Sequence, residues 1–244
     1  MATITLVANT TYSTLTVANN DIIDVAGFTL TINAQPAETG ISIIAPTGGL
    51  VSLSGGYDLT TWSMTAGSGT LQNAIPAGTI LGSLTGGTGT SAKGANTNNG
   101  TIITCTGGSG SSAVGCQSNG GTITNAVGGI NTNCHGVTTN SGTITTCTGG
   151  GSGGTGAAFG CQNNYGTITT STGGAGASSN GCFRNYSLVT TAVGGSGTTS
   201  YGVAFNYGHV LNLTDTALLA VNVWYGVITF VFGPGIVGEI KAPV

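Results

Sequence analysis

The side chains of this chain that could carry acid–base, nucleophilic or metal chemistry are few and widely separated. The six carboxylates are Asp21, Asp24, Glu38, Asp58, Asp215 and Glu239, and between Gly94 and Gly208 the only formal charge is Arg184. Glycoside hydrolysis needs two carboxylates facing each other across a cleft, and nothing in this spacing brings two together. Asp21 and Asp24 lie three apart in a turn-like segment. They read as a solvated turn, with ion or sugar binding as the alternative. No Gly-x-Ser-x-Gly elbow accompanies a His/Asp arrangement. The Gly-Gly pairs lack the lysine of a phosphate-binding loop and read as turn residues. Repeats of the calcium-binding solenoid type need an Asp in each unit, and these repeats have none. Cys134 and His135 are adjacent, but two neighbouring ligands do not make a metal site. The expectation is therefore a non-enzyme with no catalytic, cofactor-binding or metal-binding residue, and no cofactor.

Charge excludes whole classes of partner. The 244 residues include 3 Lys+Arg and 6 Asp+Glu, so 4% are charged, where an ordinary domain has about 25%. Nucleic acid is excluded, because cations must neutralise its phosphates, and anionic membranes are excluded by the same argument. Disorder, the first suspicion for a chain with 46 Gly, conflicts with 39% apolar residues. The N-terminus Met1-Ala2-Thr3-Ile4-Thr5 has neither a basic nor an apolar signal region, so synthesis in a cytoplasm without a signal peptide is expected. The most apolar segment, 218–232, is too short for a membrane-spanning helix, and its Val, Trp, Tyr and Phe read as strand.

What places the remaining residues is a repeat. An aliphatic residue follows Gly-Thr or its equivalent at Ile80, Ile102, Ile123, Ile144, Ile168, Val189 and Val210, at intervals of 22, 21, 21, 24, 21 and 21. A Gly-Gly pair comes five residues after most of them, as in Gly107-Gly108 and Gly128-Gly129. A Gly followed by a small apolar residue comes next, as in Gly115-Cys116 and Gly136-Val137. Four residues after that Gly stands an Asn: Asn98, Asn119, Asn140, Asn164, Asn185 and Asn206. The long interval holds three extra residues within 151–156, and an insertion between constant strands maps to a turn.

Glycine at this density would cost a helix about 1 kcal/mol per site, whereas four- to five-residue strands between Gly and Asn turns fit. The predicted fold is all-β: a right-handed parallel β-helix (solenoid) of about 21 residues per three-sided coil, with N- and C-terminal caps. Handedness is taken from the crossover preference of parallel strands. The segments are 1–78 (irregular β coils and cap), 79–208 (regular repeats) and 209–244 (an apolar cap or oligomerisation segment). The Ile column fills the lumen, with Thr on either side pointing out. Small residues form two further inward columns: Cys105, Ala126, Cys147, Ser171 and Ala192, and Cys116, Val137, Cys161 and Cys182. An even count of cysteines invites a disulfide framework, but in columns shared with Ala and Val they read as buried free thiols acting as small hydrophobes. Cys134 falls outside both columns. The Asn column reads as a turn whose amides hydrogen-bond from coil to coil. Tyr165, Tyr186 and Tyr207 form an outer aromatic stack that also suits a partner chain. The candidate interface residues are these three together with Trp224, Tyr225, Phe230 and Phe232.

Coils such as Asn140-Ser141-Gly142-Thr143-Ile144-Thr145, the near absence of charge and synthesis in a cytoplasm resemble the β-helical virion structural proteins of tailed bacteriophages: tail fibres, spikes and head-decoration proteins. The resemblance covers mainly 79–208. It implies a homotrimer of parallel solenoids and a virion location. The expected role is capsid decoration or cement on the phage head, with the major capsid protein as partner and a host-surface glycan as a further one. A tail fibre or spike that binds a receptor is the alternative. Lacking an obvious N-terminal anchor domain and an acidic cleft, the chain departs from large tailspikes, which argues against endoglycosidase activity. Two other classes compete. Outward Thr-x-Thr ranks suit an ice-binding solenoid, although Ile103 and Leu188 interrupt them. Exposed rings at Trp62, Trp224 or Tyr201 suit a carbohydrate-binding adhesin.

Overall fold

The computed structural model describes residues 1–68, 72–151, 156–214 and 221–232; the side chains of 72, 73, 221–224 and 230–232 lie outside what is described. The chain winds as a parallel β-solenoid. Among the described residues one sheet has twelve strands and the other eleven, and in each sheet every strand pairs with its counterpart one coil away. The only helix among the described residues is the single 3-10 turn Tyr12–Thr14. In the regular part each coil contributes a six-residue strand, such as Thr122–Val127, to the first sheet. It contributes a four-residue strand, such as Val137–Asn140, to the second. The third wall is a glycine-rich segment without regular strands, still joined from coil to coil by backbone bonds such as Ser91 N–H to Ser111 O and Ser112 N–H to Thr132 O. Both sheets run unbroken through positions 78 and 208. Strands His209–Thr214, Val221–Trp224 and Val227–Phe232 therefore add further rungs.

Register settles which residues share the lumen. Ile102, Ile123, Ile144, Ile168, Val189 and Val210 are successive in-register partners and fully buried. Burying such a side chain contributes about 1.5–3 kcal/mol. The expected start of this column is corrected: Leu81 pairs with Ile102, while Ile80 pairs with Thr101 and faces out. The six-residue strand also departs from simple alternation. Ile123 and Ala126 are three apart and both buried, and the pairing skips Thr124. Strict alternation would turn one of them out, so each long strand bends between its second and fourth residues.

The small columns are as expected, and a third joins them. Ala92, Ala113, Cys134, Ala158, Ser179 and Ser200 recur at the coil period and are all buried. Cys134 therefore belongs to a column, along the glycine-rich wall. All six cysteines are buried and unpaired. The thiols of Cys105 and Cys147 donate to the carbonyls of Gly115 and Gly160, as the Ser171 hydroxyl does to Gly181. This shared donor role explains how Ser171 stands in a column with Cys105 and Cys147. Burial pushes the Cys116 thiol up to about 12, and those of Cys105, Cys147 and Cys182 well above their ordinary range.

The glycine pairs are positions of close approach. Gly129 and Gly150 have no left-handed φ. A Cβ on Gly150 would strike the carbonyl oxygen of Gly129, and one on Gly129 that of Gly108. Left-handed turns fall instead on Ser91, Ser112 and Asn133, with φ of 60°, 57° and 56°.

The Asn column is buried at a strand end, with no positive φ, so the left-handed turn expected there is corrected. Asn98, Asn119, Asn140, Asn164 and Asn185 each donate through Nδ2 to Oδ1 of the Asn one coil on, at 2.8, 2.8, 2.9, 2.9 and 2.8 Å, ending on Asn206. Oδ1 of Asn98 and Asn140 also accepts the N–H two residues ahead. Asn140→Ala would leave the Nδ2 of Asn119 and the Oδ1 of Asn164 short of a buried partner, each costing about 1–3 kcal/mol. Urea unfolding is expected to show a loss of about 2–5 kcal/mol, against at most about 0.5 kcal/mol for Ser141→Ala on the exposed corner. Equal losses for the two variants would show that the ladder does not hold the coils.

Candidate interaction surface

The turn outside the Asn ladder carries the clearest surface feature. The backbone N–H of Tyr165 donates to the carbonyl of Asn140, that of Tyr186 to Asn164, Tyr207 to Asn185 and Tyr225 to Asn206, at 2.7–2.8 Å. Each ring is thus placed one coil above the last. The rings stack nearly parallel, with centroids 4.7, 5.0 and 5.3 Å apart and planes 3°, 7° and 4° apart from Tyr165 to Tyr225. Each stacked pair is worth about 0.5–1.5 kcal/mol beyond its buried area. The four residues remain 53, 41, 43 and 48% exposed. Because the faces cover one another, solvent sees a straight row of ring edges and hydroxyls. The same position in earlier coils holds Asn99, Gly120 and Ser141, so the aromatic row begins at Tyr165.

The structure brings Tyr165, Tyr186, Tyr207 and Tyr225 into one row. The backbones of Trp224, Phe230 and Phe232 lie in strands Val221–Trp224 and Val227–Phe232, while their side chains fall outside the described residues. Trp62 is corrected from an exposed ring to a core residue. It is 2% exposed, donates its indole N–H to the Glu38 carbonyl at 2.9 Å and packs on Tyr12. Tyr201 is half-buried.

A second aromatic cluster escaped the sequence reading. His135 stacks on Phe159 at 4.7 Å, and Phe159 stacks on Phe183 at 4.8 Å. Phe205 meets Phe183 edge-on at 5.3 Å, and the Arg184 guanidinium sits over Phe183 at 4.6 Å. The signal was present in part: His135 and Phe159 each precede the Gly that opens the short strand, one coil apart. Phe183 lies in the strand itself, off that period.

The carboxylates serve local structure. Asp21 is 5% exposed, so the solvated turn expected of it is corrected. It accepts the N–H groups of Ala2 and Ala18, which hold its carboxyl below the usual range. Asp24 accepts the N–H of Ala26, and Asp58 caps Thr60 through both N–H and hydroxyl. Glu38 accepts the Tyr12 hydroxyl at 2.8 Å, and this contact together with burial keeps the phenol protonated far above its ordinary range. Among the described residues no group of three or more His, Cys, Asp or Glu gathers where it would hold a metal ion. Comparison with models of protein families, with curated proteins and with solved structures finds no match for this chain.

Burial lowers the His135 imidazole to about 4, and its Nδ1 accepts the Phe159 N–H at 3.1 Å, so it is held neutral. The unfolded imidazole takes up its proton near 6.5. The stability tied to this group is thus fully present above pH 6.5 and is lost as pH falls towards 4. At about 1.4 kcal/mol per pH unit, denaturant titrations between pH 7 and 4 should lose about 3 kcal/mol through this group. His135→Phe should remove that part of the loss.

Proposed function

We propose that this chain is a non-enzymatic structural subunit of a tailed-phage particle: a homotrimeric decoration or cement protein on the head, with the tail as the alternative location. The tyrosine row is the observation that carries the reading. The faces of Tyr186 and Tyr207 are covered by their neighbours on both sides, which leaves little open ring face along the row for a flat ligand. What remains is a line of apolar edges with terminal hydroxyls, suited to a long contact with another solenoid of the same repeat. Four half-exposed tyrosines offer about 400 Å², roughly half of what each partner gives to a stable interface. Residues flanking the row supply the rest. A surface of Thr, Ser, Asn and Gly with little charge presents few groups whose desolvation would oppose such packing. Light scattering of the full-length protein should give the mass of a trimer. Tyr186→Ser combined with Tyr207→Ser should give monomer with unchanged circular dichroism. Immunogold labelling of particles from a phage lysate should mark heads. A monomeric wild type, or unmarked particles beside free protein, would overturn the proposal.

The threonine ranks support a second reading, ice binding. Thr122, Thr143 and Thr167 are in-register partners, as are Thr146, Thr170 and Thr191. The bend at Thr124 breaks the flat plane that such a surface needs. Thermal hysteresis that survives loss of the tyrosines would favour this reading.

A further inference from the structure

Of the buried thiols, Cys161 and Cys182 are the pair that register places one above the other. They are in-register partners on adjacent short strands and both fully buried. Neighbouring parallel strands lie about 4.8 Å apart, within the 4.4–6.8 Å that separates the Cα atoms of disulfides. In the same column Cys116 stands between Ala95 and Val137, and Val203 follows Cys182, so no other in-register pair among these rungs is Cys on Cys. In the neighbouring column Cys105 and Cys147 are separated by Ala126.

We propose that Cys161 and Cys182 form a modification site: an oxidative staple that links two successive rungs through the lumen. The oxidant is a peroxide, small enough to enter when a rung opens. The Cys161 sulfur gives up its proton and attacks one peroxide oxygen. An S–O bond forms, the O–O bond breaks, and the leaving hydroxide takes the proton as water. The Cys182 sulfur then attacks the sulfenic sulfur, the S–S bond forms, the S–O bond breaks, and hydroxide leaves with the Cys182 proton as a second water. Two thiols are oxidised by two electrons and one peroxide is reduced to two waters. Burial disfavours the thiolate, so the staple forms slowly and only at the pace of rung opening. The inference rests on the register alone and stands whether or not the chain belongs to a virion.

The test uses the full-length protein, incubated with hydrogen peroxide under native conditions, alkylated and mapped by mass spectrometry without reduction. The expected product is a linked peptide pair joining Cys161 to Cys182 within one chain, reversed by dithiothreitol. It should be absent in Cys161→Ser and Cys182→Ser and retained in Cys147→Ala. Tm should rise by about 5–10 °C on oxidation in wild type and in Cys147→Ala, and in neither serine variant. Six alkylatable thiols remaining after prolonged peroxide treatment at a temperature just below Tm would overturn the proposal. So would linkage of Cys147 to Cys161, linkage between chains, or the same products from urea-unfolded protein.

Discussion

A parallel solenoid must pass every buried group to the next coil at the strand spacing of about 4.8 Å, and that single distance selects what stands in each column. Aliphatics tolerate it through dispersion contact. Primary amides meet it with a hydrogen bond, because an amide carries a donor on one side and an acceptor on the other. Aromatic rings accept it by lying flat on one another with a slight offset. The Ile, Asn and Tyr columns are three answers to one spacing, and the last two lie on the inner and outer sides of the same corner. A carboxylate in such a column would face its own like charge one rung away, at a cost of several kcal/mol in a dry lumen. That accounts for the absence of charged side chains from the stacked inward columns among the described residues.

Much of this was legible from the sequence. The 21-residue beat marks Ile102, Ile123 and Ile144 as vertical neighbours because buried stacks demand like volumes, and a repeat in type is then a repeat in space. The corrections come where the beat is not the controlling fact. At Ile80 the preceding Gly-Thr cue matches the later coils, yet the longer 22-residue interval moves the register by one and hands the lumen to Leu81. Cys134 lies outside the two small columns as expected, but the third column that holds it was not legible, because it runs behind the glycine pairs in a wall without named strands, where no alternation announces which residue turns inward. Trp62 lies in a wide N-terminal coil with a register shift between Leu59 and Ser63, so its burial follows from local packing against Tyr12.

The site was less legible than the fold for a related reason. Side chains that point outward are free of the packing rule and carry only the regularity that their partners demand. The tyrosine row could be read because its rings are partners to each other. The His135–Phe159–Phe183–Arg184 cluster could not, because it joins residues from the wall and from the strand that differ in phase.

The interval from Ile144 to Ile168 is 24 residues, yet Thr143 to Thr148 keeps the same register against Thr167 to Thr172 as the other long strands keep with their neighbours. The three extra residues fall in the sequence between Gly151 and Gly156, in the segment of the glycine-rich wall, and the amide ladder crosses this coil at 2.9 Å, as it does the next coil. A wall that takes extra chain at so little cost to its neighbours gives this architecture a natural place to lengthen. Loops of foreign sequence grafted there would project from the shaft at a fixed height, so that variation in what the molecule presents is uncoupled from what keeps it upright.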